Sequence, residues 1–322
     1  MTRSDAFAVG NGTPYGDAEL WYPPYGYPPL AWPGAKLPAL DLTPAGDWDA
    51  GYVFGASGPV QGGYVAVVSE SLASGVWFGT PQSFVTISSS RYVDDVCGNQ
   101  QVGHMYVGGK AHAICWQNAD DATMVELHPA GADRSWALAT DGLWQGGYVT
   151  GWYSGYASAV IWKGTPSSAV DMHIPNARSS KIEGMAVGAQ VGYAQRTAAY
   201  NFDWHAILWH DTPESWINMH PSAYNGDDSE LFATTGDMHV GDAEADAGIW
   251  FGDDPESFHN LEQYLPGATG SSAYDIEVYQ GRIYIVGYAT FNNPPHAVVW
   301  IGTILDTDGN DDAKTPVKKT RK

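Results

Sequence analysis

The chain has 322 residues, 44% of them hydrophobic, which is enough apolar material for a sizeable core and excludes a chain disordered throughout. Its net charge of −21 argues against nucleic acid as a partner, because phosphates would be repelled, and suits cations or basic surfaces instead. The 38 glycines, 14 tryptophans and 19 tyrosines fit many short strands joined by tight turns, with aromatics filling the space between sheets.

Taken in chain order, the start, MTRSDAFAVGNGT, has no apolar core of the signal-peptide kind. No later run approaches the ~20 apolar residues of a membrane span, so no insertion is expected and no compartment is assigned. A Tyr- and Pro-rich stretch follows, WYPPYGYPP at 21–29. Aromatics held by prolines make a rigid, low-entropy surface, and Trp21, Tyr22, Tyr25 and Tyr27 are candidate ligand-binding residues for a glycan or a protein. The competing reading is a plug over a structural seam.

From there one pattern recurs. It reads PLAWPGAKLPALDLTP at 29–44, ASGVWFGTPQSFVTI at 73–87 and AHAICWQNADDATMVELHP at 111–129. It continues as ASAVIWKGTPSSAVDMHIP at 157–175, HAILWHDTPESWINMHP at 205–221, DAGIWFGDDPESFHNLEQYLP at 246–266 and PHAVVWIGT at 295–303. The anchors Trp32, Trp77, Trp116, Trp162, Trp209, Trp250 and Trp300 are 39 to 50 residues apart. A glycine in a Val-Gly-Tyr-like setting keeps the same beat, at Gly16, Gly63, Gly103, Gly147, Gly192, Gly241 and Gly287. A period of about 40–50 residues is the mark of propellers.

Each copy divides into four strands. A short mixed strand such as SWALAT (135–140) turns through Gly with Asn, Asp or Gln into the Val-Gly-Tyr strand. The third strand ends on Trp and is apolar at nearly every position, as in strands buried on both faces. A Pro-x-Ser turn then leads to a fourth strand that stops at a proline. The expectation is an all-β, seven-bladed β-propeller of four-stranded antiparallel blades over residues 1–305, six blades being the alternative, with a flexible acidic-then-basic tail at 306–322. The first and last copies are aberrant, so the seam is expected there, with both chain ends sharing a blade. The Trp is expected to wedge between blades.

The pattern resembles the HAF-type extracellular repeats of bacterial proteins, named for His-Ala-Phe leading to Leu-Trp. The matching residues are His-Ala-Ile at 112–114 and 205–207 and His-Ala-Val at 296–298. The third residue is never Phe. The resemblance covers residues 5 to 304 and implies a propeller-like repeat protein; it carries no catalytic residues to transfer.

No P-loop, dinucleotide fingerprint, His-Glu-x-x-His or Gly-x-Ser-x-Gly occurs. His128, His173 and His220 close successive fourth strands, too far apart around a ring to share an ion, and are read as structural. Cys97 and Cys115 fall on first and third strands, ~9.6 Å apart at ~4.8 Å per strand, and are read as buried free thiols. The acids of the first strand, Asp5, Asp49, Asp94, Glu183, Glu230 and Asp275, carry the sharper expectation. If that strand is innermost, several face a central channel, where they would raise one another's pKa or recruit Ca²⁺, with Asp94, Glu183 and Asp275 as metal ligands. Otherwise they sit on the solvent rim. DTDGNDD at 306–312 resembles half a calcium loop, with its Gly misplaced and no closing Glu.

The functional expectation is a non-enzymatic binding or structural scaffold for a protein or glycan partner, within a cell-surface or virion assembly. The alternative is a glycan-active hydrolase or lyase with carboxylates at the channel.

Overall fold

The computed structural model describes residues 8–11, 29–32, 40–46, 48, 50–67, 71–87, 91–153, 155–195, 203–224, 228–291 and 295–303. Its strands pair antiparallel in successive sheets, consecutive along the chain. Blade 3 is typical: Arg134–Thr140, Gln145–Thr150, Ala157–Trp162 and Val170–Asp171, paired in that order. Blades 1, 2, 4, 5 and 6 begin with Ala50–Ser57, Arg91–Cys97, Ser179–Ala186, Ser229–Thr234 and Ser271–Tyr279.

The architecture is therefore an all-β propeller of four-stranded antiparallel blades, and its blade count is six rather than seven. The first copy yields only a short sheet of Ala8–Asn11, Pro29–Trp32 and Leu40–Asp41, set against blade 1. Blade 6 has three strands among the described residues, ending with Pro295–Thr303. These two terminal sheets are separate, so the expected sharing of one blade by the chain ends is not what the described residues form. The insertion and its proline-rich composition account for the loss: proline cannot donate to a ladder, and the first copy has four between residues 29 and 44.

The tryptophans wedge as expected. Trp77, Trp162, Trp209 and Trp250 are wholly buried, and Trp116 and Trp300 nearly so. Trp162 packs on Val102, Ala113, Cys115 and Leu127 of the blade before it; Trp209 packs on Ile161, Met172 and Ile174. In three copies the indole N–H also crosses the seam, donating to Leu42 O, Met219 O and Leu261 O at 2.7, 2.9 and 3.1 Å. Core and blade boundary are thus the same place, and each sheet is stable only when stacked on its neighbour.

The repeated turn residues have local jobs. Each Pro-x-Ser closes a single 3₁₀ turn, in which the serine hydroxyl accepts from the backbone after the Trp and donates to the residue before the Pro. Ser168 Oγ, for instance, takes the Lys163 N–H at 2.7 Å and gives to Thr165 O at 2.6 Å. Gln61, Gln101, Gln145 and Gln190 open their second strands and accept from the backbone of the following loop at 2.8–3.0 Å.

Both cysteines are free. Cys115 is buried, whereas Cys97 is only half-buried, a correction to the expectation for that residue. No helix among the described residues is long and apolar enough to cross a membrane.

Candidate functional site

The first strand of every blade carries a β-bulge at one register. The residues pushed out of the ladder are Phe54, Asp94, Leu138, Glu183, Phe232 and Tyr274. The bulge explains the glycine landmark. A Cβ at Gly63, Gly103, Gly147, Gly192, Gly241 or Gly287 would fall far inside contact with the carbonyl two residues before the bulge, at Tyr52, Tyr92, Trp136, Lys181, Glu230 and Ser272 respectively. The kink turns that carbonyl toward the second strand, and only glycine leaves room for it.

After the bulge the ladder resumes at Gly55, Asp95, Ala139, Gly184, Ala233 and Asp275. Four of the six are Gly or Ala because blades crowd here: a Cβ on Gly55 would strike Asp95, and one on Gly184 would strike Phe232 and Ala233. The two aspartates are the exceptions. Asp95 accepts from Val96 N at 2.7 Å and, across the seam, from Thr140 N at 2.9 Å. Asp275 accepts from Ile276 N at 2.8 Å. Desolvation pushes Asp95 up to about 7, against its backbone donors and with added repulsion from Asp275 and Asp94. Desolvation likewise brings Asp275 to about 6. The first strands of successive blades pack on one another, and Asp275 of blade 6 adds to the field at Asp95 of blade 2, as expected when the first strand is the inner one.

Asp94, Glu183 and Asp275 are therefore not equivalent. Asp94 and Glu183 are bulge residues and Asp275 is a post-bulge residue. Asp94 is engaged by His104, whose Nδ1 lies 2.7 Å from its carboxylate. Burial raises Glu183, with Lys181 and a Tyr193 hydrogen bond opposing. Among the described residues no group of three or more His, Cys, Asp or Glu is arranged to hold a metal ion. Trp21, Tyr22, Tyr25, Tyr27, Asp5, Asp49 and the 306–312 and 314–322 segments lie outside the described residues.

On the other side of the bulge, cross-strand pairs build a belt that passes from blade to blade. Tyr52 opposes Tyr64, Tyr92 opposes His104, Trp136 opposes Tyr148 and Lys181 opposes Tyr193. Ring centroids are 5.0 Å apart for Tyr52–Tyr64, 6.1 Å for Tyr64–Tyr92 and 4.6 Å for Tyr92–His104. They are 6.4 Å apart for His104–Trp136 and 4.6 Å for Trp136–Tyr148. Lys181 Nζ then sits 4.7 Å from the Tyr148 ring and 5.5 Å from that of Tyr193. Most of these side chains are partly accessible. Burial drives the Tyr64 hydroxyl up to about 12 and raises Tyr148 and Tyr193, so the phenols stay neutral donors at any ordinary pH. Beside the belt lies an open recess of about 610 Å³, lined by Asp133, Arg134, Trp136, Tyr148 and Thr150 among others.

Beyond Tyr193 the belt turns acidic. Glu230 directly opposes Asp242, which itself accepts from Ser272 Oγ at 2.6 Å. Desolvation, then Asp242 and Glu183, bring Glu230 up to about 7.

The strand-four histidines, read from the sequence only as structural, are blade-to-blade staples. His128, His173 and His220 each place Nδ1 2.8 Å from a serine of the next blade, Ser135, Ser180 and Ser229. Each serine also accepts a backbone N–H of the histidine's own blade, from Ala113, Ala159 and Ala206. His112 and His205 stack on His128 and His220, bracing strand three to strand four.

Sequence reasoning missed Asp95 and the belt. The signal for the belt was present: the residue after each landmark glycine is Tyr64, His104, Tyr148, Tyr193, Asp242 or Tyr288. Compared with protein-family models and with curated proteins, the chain matches none.

Proposed function

We propose that the protein is a non-enzymatic binding or structural scaffold, a propeller of the HAF-repeat kind that presents one face to a protein or glycan partner in a cell-surface or virion assembly. One observation carries this reading: the partly exposed aromatic belt that runs unbroken from Tyr52 to Tyr193 over four blades. Rings offer large contact area at little entropic cost, and the flanking polar and charged groups supply specificity. The Trp136–Tyr148 platform beside its recess is the best-formed part.

A glycan array and a partner pull-down, each run with wild type and a Trp136→Ala/Tyr148→Ala variant of unchanged fold, test the reading. Ligand held by the wild type and lost by the variant supports it; equal binding by both removes the belt from the function.

A second reading has its own observation. Glu183 and Glu230 both act on Tyr193 and both have a raised pKa, features that a carboxylate pair of a glycan hydrolase or lyase would share. New reducing ends or unsaturated uronates from a polysaccharide panel, lost in Glu230→Gln, would favour it.

A further inference from the structure

The repeat places equivalent residues at equivalent points of each seam, so one seam reports on another. At the seam between blades 3 and 4, Lys181 leaves the first strand of blade 4 and sets its ammonium over Tyr148 of one blade and Tyr193 of its own. At the seam between blades 5 and 6 the corresponding residues follow from the ladder: Ser272 stands for Lys181, Asp242 for Tyr148, Tyr288 for Tyr193 and Tyr274 for Glu183. The cation-holding walls are kept, and one is now a carboxylate, but the strand's own residue is a serine that ends at Asp242.

The surroundings also suit a positive charge. Tyr274 lies 5.1 Å from Phe232 and 5.8 Å from Tyr288, and it is 51% exposed. Glu230 and Asp242 face each other across the strands, a like-charge pair whose ionised form a cation beside it would favour. Lys181, from the seam before, partly offsets the acidic field at Glu230. Ring faces with carboxylates beside them are the chemistry that recognises alkylammonium groups.

We infer that the mouth of the blade 5–6 seam, walled by Tyr274, Tyr288 and Asp242 with Glu230 across the strands from Asp242, receives a lysine side chain of the partner protein. The inference rests on the scaffold reading and specifies its partner as one that presents an exposed lysine. Such a partner is also matched to a chain of net charge −21.

The test is an NMR titration of the full chain labelled at tyrosine rings, with N-acetyl-lysine methylamide as probe and the norleucine and Nε-acetyl-lysine analogues as neutral controls. The Tyr274 and Tyr288 resonances should shift saturably with the lysine probe alone. Glu230→Gln should weaken the probe by roughly tenfold, as expected for loss of a charged partner at a part-buried site. Ser272→Lys, which installs the lysine of blade 4, should abolish binding by filling the site from within; Tyr274→Ala, at an exposed position, should weaken it without loss of fold. Equal shifts with the neutral analogues, no shift at all, or undiminished binding by Ser272→Lys would each overturn the inference. A partner captured through the Trp136–Tyr148 platform in the same protein would leave the scaffold reading standing while this one fell.

Discussion

His128 Nδ1 lies 2.8 Å from Ser135 Oγ, across the boundary between blades 2 and 3, and that hydroxyl also accepts the Ala113 N–H of blade 2. One side chain thus satisfies a buried backbone donor and a histidine of the neighbouring blade. The same triplet recurs with Ser180 and Ser229, and Glu262 takes the histidine's place beside Ser271.

Ser135→Ala should therefore cost about 1–3 kcal/mol, the penalty for a buried N–H left without an acceptor. The partly buried histidine of the pair also makes stability fall in acid. Burial lowers the pKa of His128 and His173, so the fold resists charging them. Their contribution is complete above the unfolded value of about 6.5 and is lost as pH falls below it. Urea unfolding at pH 7 and pH 5 should show a drop for the wild type that is smaller in His128→Gln.

Gly147→Ala should destabilise by roughly 1–3 kcal/mol, since the new methyl meets the Trp136 carbonyl at the bulge. Gly155→Ala, where a Cβ meets nothing within 4 Å, should stay within about 0.5 kcal/mol of wild type. Thermal melts of the two side by side check the account of the glycine landmark.

Trp209→Ala should lose about 3–5 kcal/mol, because a wholly buried wedge between blades 3 and 4 is removed. Trp216→Ala, at a position 39% exposed in the 3₁₀ turn region of blade 4, should lose much less. Equal melting temperatures would contradict the wedge.

Glu230→Gln should behave in the opposite sense to the histidines. A folded pKa raised to about 7 means that the carboxyl's contribution is whole below its unfolded value and is lost as pH rises through the folded one. The substitution should thus gain on the order of 1–3 kcal/mol at pH 8 and almost nothing at pH 4. Denaturation at both pH values reads the difference directly.

The architecture was legible because its constraints are local and repeated. Trp at the end of an apolar strand, Pro-x-Ser and the landmark glycine each answer to a contact within the blade or with the next, so each recurs at the period. The count was less legible, since Trp32 and its glycine keep the beat while the prolines around them prevent a full ladder. The channel was half read. Sequence put acids on the inner strand, but a bulge shifts which member of the Asp94–Asp95 doublet reaches the axis, and a one-residue slip exchanges the faces of a strand. The belt escaped notice because its residues vary in type, Tyr, His, Trp and Lys, while sharing a register that appears only once strands are paired.

The central claim, that the belt is the binding face, is tested most directly by hydroxyl-radical footprinting of the protein alone and with its captured partner. Protection of Tyr64, Tyr92, Trp136 and Tyr148 on complex formation, with Trp216 and Phe251 on other surfaces unchanged, is the predicted result. Protection confined to other surfaces, with the belt as reactive in the complex as in the free protein, would contradict it.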